Sequence, residues 1–215
     1  MLARTNNATA QKYDSLATCF GLYDLLHFYP WKFRSKGADA LGNVWGKRVL
    51  EVGCGSGLNF KYLLEKIGPG GELVGIDISK RMIGVAQTRC GRRLWSNVYA
   101  YTADAAEYHA CTPFDAIYFG LSFTILDDPS RVLDNILSQV RPGGRIVVLE
   151  TRMPTWLPRF VEGWLTKYAY RNFGTNFDIK PWELFEQYQD RGILTKVKTE
   201  TIRSYSFYVL SADKP

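Results

Sequence analysis

The chain has 215 residues, 46% of them hydrophobic, which is enough for one substantial core and points to a single domain. Its formal charge of +6 favours contact with anions such as phospholipid head groups or nucleic acid, yet no long basic block marks a nucleic-acid arm. Cys19, Cys54, Cys90 and Cys111 are dispersed with no CxxC unit, so neither a zinc site nor a disulfide framework is indicated, and no apolar run of about 18 residues is present to span a bilayer.

Residues 1–12 are polar and alanine-containing. From Tyr13 to Trp31 the chain becomes rich in Tyr, Leu and Phe at helical spacings, which predicts short helices covering the ligand side of a sheet. Residues 1–44 are expected to form a helical cap. After a connection over 41–46, a first strand is predicted at 47–52, carried by Val49, Leu50 and Val52. Gly53, Gly55 and Gly57 follow at once. Glycines at alternate positions let the backbone turn sharply and approach a ligand without Cβ atoms in the way, and a helix is expected from Leu58 to Lys66.

The alternation then repeats. A Pro-Gly turn at 68–71 precedes a second strand at 72–76, and Ser79 is placed to cap a helix from Lys80 towards Arg89 whose Met82, Ile83, Val85 and Ala86 are apolar. A third strand is expected at 97–101 and a fourth at 114–119, with Asp115 near its beginning. Pro129 opens a helix through Gln139, and Pro142-Gly143-Gly144 is expected to stop it before a fifth strand at 145–150. The carboxyl ends of parallel strands form the ligand crevice in such an arrangement, so Gly120 and Leu121 are candidates for its wall, with Ser122, Phe123 and Thr124 between its two occupants.

Farther on, Trp156, Leu157, Phe160, Val161, Trp164, Leu165 and Tyr168 recur at one- and three-residue intervals along one broad helical face. Such a face must be buried, as a lid over the acceptor, against another protein, or shallowly in a membrane interface. Arg159, Lys167 and Arg171 add positive charge around it. Residues 152–180 read as a lid-like insertion. A helix from Pro181 through Arg191 and two strands, at 194–200 and 204–211, complete the chain.

The stretch VLEVGCGSG from Val49 to Gly57, the strand LVGID ending at Asp77, Asp104-Ala105, the Asp115 strand and Pro142-Gly143-Gly144 together resemble the class I S-adenosylmethionine-dependent methyltransferases. The likeness extends over about residues 45 to 150, and includes enzymes acting on small molecules, quinones and phospholipids. Trp31-Lys32-Phe33-Arg34 resembles the basic-aromatic prelude of the quinone enzymes. The resemblance implies an α/β, Rossmann-like, seven-stranded and mostly parallel sheet with helices on both faces and an antiparallel last strand. It also implies S-adenosylmethionine as cofactor. Acidic Glu51 opens the matching pattern, and the loop of Gly53, Gly55 and Gly57 would receive the methionine part. Asp77 would bind both ribose hydroxyls, Ile78 and Met82 would pack beside adenine or ribose, and Asp104 and Ala105 would meet the adenine amino group and ring. Tyr13, first of a Tyr-Asp pair, would close over the cofactor. A carboxylate accepts two hydrogen bonds from a vicinal diol, although a dinucleotide site has the same layout and Asp77 alone does not exclude NAD.

Methyl transfer from a sulfonium requires the acceptor lone pair, the methyl carbon and the departing sulfur nearly in line, and needs no metal on that account. His27 and Glu150 are candidate bases. Tyr23, His27 and Tyr29 are candidates for the acceptor wall, and Tyr23, Tyr29 and Tyr168 for stabilising a developing methylammonium. The expected acceptor is a lipophilic small molecule or a phospholipid head group, an amine among the options. Open alternatives are a quinone or phenol, a nucleic acid or protein, and a noncatalytic cofactor-binding partner role. The expected place is the cytoplasm, at the membrane surface.

Overall fold

The computed structural model describes residues 6–17, 31–153, 158–202 and 207–215. Tyr23, His27 and Tyr29, with Trp156, Leu157 and Tyr205, lie outside the described residues. Two helices, α1 (Asn6–Leu16) and α2 (Trp31–Asp39), lead into an alternating unit: β1 (Arg48–Val52), α3 (Phe60–Ile67), β2 (Glu72–Asp77), α4 (Lys80–Arg93) and β3 (Val98–Thr102). The second half runs β4 (Phe114–Gly120), a 3-10 turn (Phe123–Ile125), α5 (Pro129–Ser138), β5 (Val140–Thr151), α6 (Arg159–Phe173), α7 (Pro181–Asp190), β6 (Thr195–Ile202) and β7 (Phe207–Asp213).

The strands form one seven-stranded sheet in the order β3-β2-β1-β4-β5-β7-β6. Strands β1 to β5 are mutually parallel, and β7 is antiparallel to both β5 and β6. The resemblance therefore anticipates the sheet correctly. Period-two alternation along β1 sends Leu50 and Val52 into a core with Phe119, Leu133, Ile136 and Val148, while Val49 joins Leu63, Ile67, Ile83 and Leu149 on the opposite face. Both faces are covered, which is why the strands read as nearly continuous apolar runs. The chain reverses its direction of travel through the sheet between β1 and β4, and a crevice opens at their carboxyl ends.

Two expectations need correcting. Pro142-Gly143-Gly144 does not separate helix from strand: α5 ends at Ser138, and β5 already pairs with β4 at Val140. The tripeptide is a bulge within β5, where the register jumps from Phe114↔Val140 to Ala116↔Arg145. Gly143 takes φ +75°, its N–H donates to the Lys214 carbonyl at 2.9 Å, and the Lys214 N–H returns to Gly144 O at 2.8 Å. The C-terminal segment thus supplies the pairing that Pro142, lacking an N–H, withholds from the ladder.

The second concerns the rings of the aromatic helical face, which the described chain itself does not cover. Phe160 on α6 is 81% exposed and Trp164 63%, and no described side chain of this helix is buried. None of the described helices is long and apolar enough to cross a membrane.

Candidate active site

The crevice is a cavity of about 260 Å³ walled by the ends of β1, β2, β4 and β5, with Tyr13 of α1 and Phe173 of α6 at its rim. The loop after β1 forms its floor. Gly53 has φ +67° and Gly55 φ +53°, values that L side chains adopt at a cost of about 1–2 kcal/mol. A Cβ on Gly53 would stand 2.5 Å from Ser122 Cβ, whereas one on Gly55 would project into open space. Gly53 is thus demanded by packing, and Gly55 leaves room beside the cavity. Gly57 is not a wall: its missing Cβ makes space for the Phe60 ring, 2.7 Å from where that atom would be.

Asp77, at the tip of β2, holds this loop in place. One carboxylate oxygen accepts from Gly55 N–H and the other from Ser79 N–H, both at 2.8 Å. Burial pushes its pKa up to about 6, against the opposing pull of those two bonds. Each oxygen keeps a lone pair, so the group can still receive a vicinal diol. Ile78, Met82, Asp104 and Ala105 continue the wall from Asp77, with Ala103 and Ala106 leaving a shallow apolar slot. One Asp104 oxygen accepts from Ala106 N–H at 2.9 Å, which fixes the turn.

Gly120 and Leu121 line the cavity at the end of β4. Leu121 has φ +62°, a strained conformation for a branched side chain, and its N–H donates to Leu149 O at 2.8 Å. Gly120 leaves space for the Asn59 amide, which a Cβ at 120 would strike. Asn59 in turn is the centre of a buried relay. Arg34 Nη1 donates to its Oδ1 at 2.6 Å, and its Nδ2 donates to Glu51 Oε1 at 2.5 Å. Glu51 is fully buried below the floor rather than on the wall. Burial pushes its carboxyl up to about 8, so at neutral pH it is mostly protonated. Arg34 does reach the wall, only 7% exposed. Ser56 lines the same end, and its buried hydroxyl has no hydrogen-bond partner among the described residues.

Glu150, 2% exposed at the end of β5, faces the cavity. Its Oε2 accepts from Thr124 Oγ1 at 3.1 Å and Thr151 N–H at 3.0 Å, and its Oε1 accepts from Thr124 N–H at 3.2 Å. Burial raises its pKa to about 7, so it exchanges a proton near neutrality.

Residues 12–14 of α1 fasten both sides of the rim. Asp14 Oδ1 accepts from Ser79 Oγ at 2.5 Å and Arg81 N–H at 3.1 Å, at the start of α4. Tyr13 OH donates to Phe173 O at 2.5 Å, and Lys12 Nζ donates to Tyr170 O and Arg171 O at 3.0 and 2.7 Å, at the end of α6.

The structure gathers Tyr13, Gly53, Gly55, Asp77, Ile78, Met82, Asp104, Ala105, Gly120, Leu121 and Glu150 around one cavity. It leaves Glu51 and Gly57 behind the wall, and it does not bring Tyr168 to the site. Tyr168 stacks on Trp164 along α6 with ring centroids 5.5 Å apart, and is 36% exposed. The aromatic walls among the described residues are Tyr13 and Phe173, so no cage of rings for a methylammonium is assembled there. Ser56, Asn59 and Phe173 have no role in the sequence reading, and Arg34 enters it only as part of the Trp31–Arg34 prelude, not as a site residue. One signal for Arg34 exists: it stands four residues before Ala38, which is buried, and so on the same side of α2. No group of three or more His, Cys, Asp or Glu among the described residues is placed to hold a metal ion.

Comparison with known proteins agrees with this layout. A family model described as a methyltransferase domain matches residues 50–146. The demethylmenaquinone methyltransferase of Geobacillus sp. (strain WCH70) is 34% identical over 111 residues, covering 51% of this chain and 47% of that protein. The chain thus spans about half the length of that relative. The chloroplastic 2-phytyl-1,4-beta-naphthoquinone methyltransferase of Arabidopsis thaliana is 27% identical over 202 residues, covering 91% of this chain and 75% of that protein. Among solved structures, the [4+2]-cyclase SpnF superposes with a TM-score of 0.75 at 18% identity, over 100% of this chain and 98% of its own. That likeness speaks for the fold alone, since one fold carries different reactions.

Proposed function

We propose that this chain, which belongs to the class I S-adenosylmethionine-dependent methyltransferases, moves a methyl group onto a lipophilic aromatic acceptor of the quinol or phenol kind. The observation that carries the reading is Glu150: a buried carboxylate, poised near neutrality by burial and held by Thr124, on the cavity wall of a chain whose sequence relatives bear naphthoquinone and menaquinone names.

The residues present fit the cofactor. Asp77 is held to accept from the ribose hydroxyls, Asp104 to meet the adenine amino group, and Gly55 leaves open space beside them. The orphaned Ser56 hydroxyl and the Arg34 guanidinium stand where the methionine part would lie. Arg34, nearly buried, brings its guanidinium to this end of the cavity, where a charged hydrogen bond to the cofactor's carboxylate is stronger than a neutral one. When bound, the cofactor supplies a methyl carbon already made electrophilic by its sulfonium.

The protein's own work is positional and acid–base. Tyr13 and Phe173 close the rim and exclude water, and the strand ends fix the direction of approach. Glu150 takes the acceptor's hydroxyl proton, so that the phenolate oxygen or the ring carbon conjugated with it becomes the nucleophile. Where the carbon receives the methyl group, the hydrogen it carried leaves as a proton and the ring oxygen regains one, and one proton in all passes to solvent. Thr124 and Thr151 keep the carboxylate turned to that task. The reading extends to residues 152–180 as a lid on the acceptor side, supported by Phe173 and Thr175 on the wall and by Asn176 N–H donating to Thr124 O at 3.0 Å. It also places the protein in the cytoplasm beside a membrane surface, where such an acceptor resides.

The test is transfer of label from methyl-labelled cofactor to separate acceptors: a demethylnaphthoquinol with a short tail, phosphatidylethanolamine vesicles, RNA and protein. Label in the naphthoquinol supports the assignment. Label confined to phospholipid, RNA or protein overturns it.

A further inference from the structure

Helix α6 carries apolar residues on two sides: Val161, Leu165, Ala169 and Phe173 are half-buried, and a second row lies opposite them. At about 100° per residue, Phe160, Trp164, Lys167, Tyr168 and Arg171 fall within one sector about 100° wide. That sector faces solvent: Phe160 and Trp164 are the two most exposed aromatic side chains of the helix, at 81% and 63%. The one acidic residue of the helix, Glu162, lies on the far side of the wheel. The outward surface therefore combines large rings with cations and contains no carboxylate. Scattered exposed hydrophobics need no explanation, but an aligned row of them with flanking cations does.

Resting on the lipophilic acceptor proposed above, we infer that this sector of α6 docks on the surface of an anionic phospholipid bilayer, with Phe160 and Trp164 in the interface and Lys167 and Arg171 against the head groups. Amphipathic helices that lie in the interface carry this pairing of rings and cations. Lys167 and Arg171 flank Phe160 on the wheel, about 20° to either side, and their long side chains can reach up to head groups while the rings sit deeper. A second copy of this chain fits less well. A twofold contact through this sector would bring two Lys167 and two Arg171 together with no carboxylate between them.

The position of the helix gives the docking a purpose. Its last residue, Phe173, is a wall of the cavity, and α1 pins that end through Tyr13 and Lys12. A bilayer under α6 therefore lies next to the cavity rim, and a lipophilic acceptor passes from one to the other without crossing water.

Co-sedimentation with vesicles tests this. The wild-type chain is expected to bind vesicles of equal phosphatidylglycerol and phosphatidylcholine in low salt, to bind pure phosphatidylcholine at least tenfold less, and to release at high salt. Phe160→Ser with Trp164→Ser should lower the partition coefficient at least tenfold, and Lys167→Glu with Arg171→Glu should abolish the preference for anionic lipid. Affinity for S-adenosylhomocysteine should stay unchanged in both double variants, which shows that they fold. No binding of the wild type to anionic vesicles, or wild-type binding by the ring variant, overturns the docking. So does a wild-type dimer in sedimentation velocity that the ring variant dissociates, because the sector is then an interface between copies. Transfer to a water-soluble, short-tailed naphthoquinol is measured beside it. Vesicle binding without any transfer leaves the docking standing and removes the enzymatic reading, while transfer without vesicle binding does the reverse.

Discussion

Replacing Arg34 with Met keeps most of the side chain's length and apolar stem while removing its cation. In the wild type the guanidinium is 7% exposed, bonded through Asn59 to a carboxyl that burial keeps mostly protonated. It lines the cavity, where it can bond a ligand carboxylate, and a hydrogen bond to a charged group is worth about 1.5–3 kcal/mol. At about 1.4 kcal/mol per decade, Arg34→Met should weaken S-adenosylhomocysteine roughly ten- to hundredfold. The nucleoside 5′-deoxy-5′-methylthioadenosine lacks the amino-acid part, so its affinity should change less than about twofold. Isothermal calorimetry with both ligands on both proteins completes the comparison. Equal losses for the two ligands would mean that the substitution disturbs the cavity as a whole, and no loss for either would mean that Arg34 serves only the relay; each result refutes the reasoning.

Asp77 accepts from both hydroxyls of a diol, and with charge-assisted strength, only while ionised, and burial raises its pKa to about 6. Nucleoside affinity measured by calorimetry should therefore be level above pH 7 and fall as pH drops through 6, by up to about tenfold per unit, with the pH dependence absent in Asp77→Asn. Glu150→Gln should leave cofactor affinity unchanged and slow transfer about 10²- to 10⁴-fold. Since Glu150 works as a base with a pKa near 7, wild-type turnover should rise between pH 6 and 8, and this rise should vanish in the variant. Gly57→Ala should lower the unfolding midpoint, because it adds about 1–2 kcal/mol of backbone strain to a clash with Phe60, yet folded protein should retain its cofactor affinity. Gly55→Ala carries a similar backbone strain without the clash, and with open space at its Cβ it should also weaken cofactor binding, which calorimetry on the two variants separates.

The residues legible from the chain are those whose signals are local. Val49 to Gly57 announces strand and turn within a few positions, and Asp77 ends a strand of the same kind, so the floor of the cavity follows from short-range pattern. Residues that depend on distant partners are less legible. Glu150 stands out as a candidate base, but the Thr124 that sets it is 26 positions away, and Arg34 is held through Asn59, 25 positions away. Between Lys32 and Lys36, Arg34 looks like one more solvated charge. The stripe on α6 was visible as a stripe, and apolar periodicity says that such a face is covered without saying by what. Its exposure shows that no described part of this chain covers it. The Pro142–Gly144 bulge escaped because Gly and Pro mark irregular backbone without saying whether a strand continues through it, and here Lys214 bonds across it.

Asn59 and Gly120 occupy what amounts to a single volume, since the amide fills the place where any side chain at 120 would begin. The Tyr118 ring borders the same volume, 2.7 Å from where a Cβ would stand. A descendant sequence with alanine at 120 must shorten residue 59 and shift that ring, and serine or glycine at 59 would cut the link between Arg34 and Glu51. The smallest residue on the fourth strand is in this sense what keeps a buried cation in position on the far side of the first.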